Sequence, residues 1–194
     1  MTIKLPMMIA VRGYAVPVCE PETVDESKLG KTKRKNRKAF AKPSEYALVF
    51  DTETTSDHTQ NLRIGSYQVR KRGELIERGV FYELGNLTAA EVGLLKFHAT
   101  QRGLALRTRE EFVRDVFYRC GYDYAGLIIG FNLPFDLSRL AIGIGTSSAK
   151  DMRGGFSLAL LPAKWRCHPV VRHLSSRAAF MRFASPPRQV DGRG

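Results

Sequence analysis

Three acids stand at spacings that could support chemistry: Asp51 and Glu53 in Val49-Phe50-Asp51-Thr52-Glu53-Thr54-Thr55, and Asp136 in Gly130-Phe131-Asn132-Leu133-Pro134-Phe135-Asp136. Side chains two apart on a strand point the same way, so Asp51 and Glu53 project together. Adjacent carboxylates repel each other unless a cation lies between them. A hard divalent ion, Mg2+ or Mn2+, suits such an all-oxygen donor set. Asp136 is expected in the first turn of a helix, where the helix dipole favours an acid whether its role is functional or structural. An isolated Asp-x-Glu is a weak pattern. Its weight comes from the apolar run that delivers it.

That run is Tyr46-Ala47-Leu48-Val49-Phe50, rich in strand formers and nearly continuous, as a central buried strand ending at Asp51 would be. Leu62 to Val69 and Leu75 to Tyr82 read as two more strands. The turn signal Lys71-Arg72-Gly73-Glu74 joins them into a hairpin. Thr88 with Glu91 and Thr108 with Glu111 each form a capping-box pattern at a helix start. Phe112, Val113, Val116, Phe117 and Cys120 recur at helical spacing, with Gly121 as the expected stop. Leu127 to Phe131 reads as another buried strand. Asn132 is placed to cap a helix that runs to Ile142 and stops at Gly143 and Gly145. Phe156 to Leu161, Val170 to Leu174 and Ala178 to Ala184 are weaker strand candidates. Three antiparallel strands followed by an α/β crossover predict an α/β fold with a mixed sheet and flanking helices.

Composition points to a partner. The 194-residue chain carries a net charge of +12 and a pI near 9.9. Such a surface suits polyphosphate. Residues 28–42 hold eight Lys and Arg and no acid, which predicts a disordered arm or exposed loop, either a contact for phosphate backbones or a solvated charge run. Arg153, Lys164, Arg166, Arg172, Arg177 and Arg182 add positive charge downstream, and Trp165 offers a ring that could stack on a base. Ile9 to Val18 has the makings of a short strand. No apolar run reaches the ~20 residues of a membrane helix. Met1 to Ala10 is too short and Pro-broken for a signal peptide, so a cytoplasmic protein is expected, with no membrane partner. Cys19, Cys120 and Cys167 are too far apart for a disulfide framework.

On these motifs the chain resembles the DEDD superfamily of 3′–5′ exonucleases, whose fold is RNase H-like. The family's Asp-x-Glu is matched by Asp51 and Glu53, and its Asn-x(2–3)-Phe/Tyr-Asp by Asn132, Phe135 and Asp136. Phe131 to Leu137 is similar to the proofreading domains of DNA polymerases. The resemblance covers residues 46–140 well and the remainder loosely. It implies phosphodiester hydrolysis with two Mg2+ or Mn2+ ions, held by Asp51, Glu53 and Asp136. Asp51 would bridge the ions, Glu53 would help orient the attacking water, and Asp136 would hold the second ion through water. It also implies that Thr54, Asn132 and Phe135 touch the 3′ end of single-stranded DNA or RNA.

The family also carries a fourth acid in Tyr-x-x-x-Asp or His-x-x-x-x-Asp. After Asp136 only Asp151 and Asp191 remain, and neither fits that spacing. The expected organisation is therefore an extension over 1–44, an exonuclease-type domain over 45–185 that lacks its last motif, and a disordered tail over 186–194. The expected activity is exonucleolytic but impaired. A nucleic-acid-binding module without turnover is the alternative. Asp51-x-Glu53-x-Thr55 also approaches the haloacid dehalogenase pattern, but no Asp-Asp pair follows. Cys167, His168 and His173 are poorly spaced for zinc, and no Gly-x-Ser-x-Gly elbow marks a serine triad.

Overall fold

The computed structural model describes residues 44–163, 166–175 and 178–184. The Ile9–Val18 candidate strand, the arm at 28–42, Lys164, Trp165, Arg177, Asp191 and the tail lie outside them. All described residues belong to one compact unit.

β1 (Tyr46–Thr54) is longer than its apolar run. Antiparallel pairing with β2 (Leu62–Lys71) carries it past Asp51, through Asp51↔Ser66 and Glu53↔Ile64. Both acids are therefore part of the pleat rather than of a loop behind it. β3 (Glu74–Tyr82) completes an antiparallel meander. Its hairpin turns on Arg72 and Gly73, both at positive φ, the backbone twist that tight hairpins need. Gly65 of β2 is required by packing, since a Cβ there would lie 2.1 Å from the Phe81 ring.

The capping box at Thr88 and Glu91 forms and starts α1 (Ala89–Arg102). Helix α1 leads to β4 (Ala105–Thr108), a strand the sequence did not announce, which pairs in parallel with β3. The second capping box, Thr108 with Glu111, opens α2 (Arg109–Glu111). Helical turns continue over Phe112–Phe117 and Arg119–Asp123, widened so that Tyr118 N–H reaches Val113 O and Tyr124 N–H reaches Arg119 O. Gly121 is not the stop. It sits inside these turns where a Cβ would meet Ile128 at 2.9 Å. β5 (Leu127–Ile129) then lies parallel to β1, giving the order β4-β3-β2-β1-β5. Leu127 to Phe131 is thus not a fully buried strand. β5 is short and at the edge of its sheet, and Phe131 beyond it is 99% exposed.

α3 (Leu133–Leu140) ends two residues earlier than expected, because Ala141 is already extended. The Asn132 side chain makes no capping bond. Gly143 and Gly145 belong to β6 (Gly143–Thr146) rather than to a helix stop. β6 joins β7 (Phe156–Ala159), β8 (Pro169–Ser175) and β9 (Ala178–Phe183) in a second, wholly antiparallel sheet. Glycine-containing β6 had no strand signature of its own, and sheet membership came from its pairing with β7.

One core unites these parts. Leu48 and Phe50 of β1 meet Phe112, Val113 and Phe117, with Leu137 and Leu140 of α3 and Leu158 and Val171 of the second sheet. Phe81 and Phe112 stack at 4.0 Å between centroids. Arg109 links the parts through polar contacts. It pairs with Glu83 and donates to the carbonyls of Leu140 and Leu160 at 3.2 and 3.0 Å. The chain is a mixed α/β protein, and no described helix is long and apolar enough to cross a membrane.

Candidate active site

Strand alternation divides β1 at the site. Leu48, Phe50 and Thr52 point into the core, while Asp51 and Glu53 are exposed on the opposite side. The two acids share a side of the sheet, as their spacing predicted. Asp51 lies in an open groove of about 650 Å³ with Gln68, Arg78, Ile129 and Phe131. Glu53 and Thr54 line a separate cleft of about 600 Å³ against α1, with Leu94, His98 and the Arg63–Glu91 ion pair.

Asp136 sits on the core side of β1. It is 2% exposed, and Thr52 Oγ1 donates to its Oδ1 at 2.6 Å. Its other oxygen, Oδ2, is buried without a hydrogen-bond partner among the described residues. Burial pushes the carboxyl above the ordinary aspartate range, the Thr52 hydroxyl pulls it partly back, and the nearby Asp51 charge pushes it up again. The structure thus leaves Asp136 behind β1, within reach of the Asp51 charge on the strand's other side, and sets Glu53 toward the α1 cleft. Among the described residues no group of three or more His, Cys, Asp or Glu side chains is placed to hold a metal ion.

The oxygen chemistry of each acid alone suits a hard cation, but Asp136 lies behind β1 and outside the groove that holds Asp51. A buried carboxylate oxygen without a donor is costly. The Thr52 hydroxyl already neutralises one lone pair of Asp136 and leaves the other available.

Asn132 and Phe135 line a third cleft, of about 430 Å³, between α3 and the second sheet. Sequence reasoning missed its opposite wall, which includes Ile144, Phe156 and His173. It also missed Arg139, whose guanidinium lies 4.8 Å over the Phe135 ring and donates to Gln60 O at 2.8 Å. That bond ties α3 to the loop after Glu53. Thr52 was the one missed residue with a readable signal, because alternation sends the residue between two outward acids into the core. Of the zinc candidates, Cys167 Sγ is bonded to Tyr122 OH at 3.3 Å and His168 lies against Ser157 at 3.2 Å. Asp151 is paired with Arg182 at 2.7 Å.

No family model, curated protein or solved structure matches the chain.

Proposed function

We propose that this chain is a metal-dependent nuclease of the DEDD 3′–5′ exonuclease type, with the RNase H-like arrangement that its β1-β2-β3 meander and parallel β5 suit. One observation carries the reading. A buried carboxylate with an unpartnered oxygen, Asp136 Oδ2, stands beside the strand that bears Asp51 and Glu53. In an ordinary core such an oxygen would be bonded or the residue replaced. Asp51, Asp136 and Glu53 would hold Mg2+ or Mn2+, which when bound activates water and stabilises the leaving 3′ oxygen. The chain's own contribution is orientation. β1 fixes Asp51 and Glu53 on one pleat, Thr52 holds Asp136, and Asn132 and Phe135 receive the 3′ end. The net charge of +12 supports nucleic acid as the ligand.

A second reading, binding without turnover, is favoured by the placement of Asp136 on one side of β1 and of Asp51 and Glu53 on the other. One assay separates the two. Protein is mixed with 3′-labelled single-stranded DNA and Mg2+ or Mn2+, beside Asp51→Ala. Mononucleotide release that the substitution abolishes supports the nuclease. Binding that is indifferent to metal, with no release, supports the module.

A further inference from the structure

The cleft between α3 and the second sheet has two unlike walls, and only one of them carries motif residues. Phe156 and His173 come from β7 and β8. Phe156 pairs with Val171, and His173 is two residues farther along the same face. Ile144 of β6 is 59% exposed and Phe156 48%, so neither is used up by the core. Both face a space also lined by Asn132 and Phe135. The side chains of Asn132 and His173 have no hydrogen-bond partner among the described residues. Apolar and aromatic walls with uncommitted polar groups at the edges match what a flat heterocycle with donors and acceptors on its rim requires. A volume near 430 Å³ lies at the small end of the ~300–1,000 Å³ range of ligand sites. That volume is of the order a single nucleobase needs.

We propose that the second sheet supplies the base-recognition wall of this site, with Phe156 packing on the face of a single unpaired terminal nucleobase and His173 bonding its edge. The inference rests on the nucleic-acid reading above and extends it to residues outside the motifs. It keeps the single-stranded end of that reading and adds the residues that would face its last base. Arg139 above Phe135 supplies positive charge beside the cleft for the adjoining phosphate.

The test is a binding measurement in EDTA, so that no cleavage intervenes. The probes are two short 5′-fluorescein single-stranded oligonucleotides that differ only in the 3′ terminal unit, one with an intact base and one abasic. Deoxy and ribo versions form separate arms. The intact end is expected to bind on the order of tenfold more tightly in at least one arm. Phe156→Ala and His173→Ala should each remove most of that ratio, Phe156→Leu should keep part of it, and His173→Gln should restore part of the His173→Ala loss. A 3′-terminal 2-aminopurine should be quenched by the wild type and not by Phe156→Ala, a signal that a purely structural role would not move. Equal binding of intact and abasic ends, or an unchanged ratio in the folded variants, overturns the base wall while leaving the nucleic-acid reading standing. Failure of every oligonucleotide to bind, both in EDTA and with Ca2+ in place of Mg2+, overturns both.

Discussion

On its core side β1 presents Leu48, Phe50 and Thr52 to a packed aromatic cluster. On its other side the same strand presents Val49, Asp51 and Glu53 to open grooves. The backbone, register and flanking strands are shared, so the contrast comes from alternation alone. Phe50 lies 5.7 Å from Phe112 and 6.1 Å from Phe117, and its volume is matched by neighbours. Asp51 and Glu53 are exposed instead. The core side holds one exception, Asp136 with its unpartnered oxygen. Under the nuclease reading proposed above, that oxygen would serve the acids of the other half. Stability and proposed chemistry are thus separated across one strand, with Thr52 as the joint.

The largest expected effect breaks the packed side. Phe112→Ala removes the ring stacked on Phe81 and should destabilise by about 3–5 kcal/mol in urea denaturation. A loss under about 1 kcal/mol would mean that the cluster is not the core. Next comes the joint. Thr52→Val keeps the shape and removes the only side-chain donor to Asp136 among the described residues, and should cost about 2 kcal/mol at neutral pH. A neutral result would show that the hydroxyl does not support the buried acid.

Asp136→Asn should act in the opposite direction and stabilise the metal-free protein by about 1 kcal/mol at pH 7. The sign follows from the raised carboxyl. The native state holds this proton more tightly than the unfolded chain, so its contribution is fully present below the unfolded value of about 3.9. That contribution is lost as pH rises through the higher folded value. The stability gap between Asn and wild type should therefore widen with pH over that window. A constant gap in thermal melts across pH would exclude a raised Asp136. Mn2+ should raise the melting temperature of the wild type and not of the Asn variant.

The smallest expected effect on stability sharpens the contrast most. Asp51→Asn and Glu53→Gln should each change stability by less than about 0.5 kcal/mol, because both side chains are exposed. Both should nonetheless abolish metal-dependent release of nucleotides. Loss of stability equal to that of Thr52→Val would place these acids in the structural half instead.

Several parts of this arrangement were legible in the residues. The capping boxes at Thr88 and Thr108 formed because they are local, each needing only residues three apart. The helical spacing of Phe112, Val113, Val116, Phe117 and Cys120 gave five buried side chains, although widened turns replaced a regular helix. The β2–β3 hairpin followed from Arg72-Gly73. Elements whose existence depends on a distant partner were not legible. β4 is four residues long and is defined by pairing with β3. β6 contains two glycines and is defined by β7. The stop of α3 at Leu140 coincides with Arg109 gripping the Leu140 carbonyl from another element.

The same division holds at the site. The sequence by itself determined that Asp51 and Glu53 share a side of a strand, that Asp136 lies in the first turn of a helix, and that the surface is strongly basic. Each follows from spacing or composition. Only the tertiary structure decided that Asp136 is buried on the other side of β1, bonded to Thr52 with one oxygen unsatisfied, and that Ile144, Phe156 and His173 face Asn132 and Phe135. Those facts depend on how α3 and the second sheet pack against β1. Packing is set by contacts across 80 or more residues, such as Thr52 to Asp136 with a separation of 84, and no local pattern encodes them.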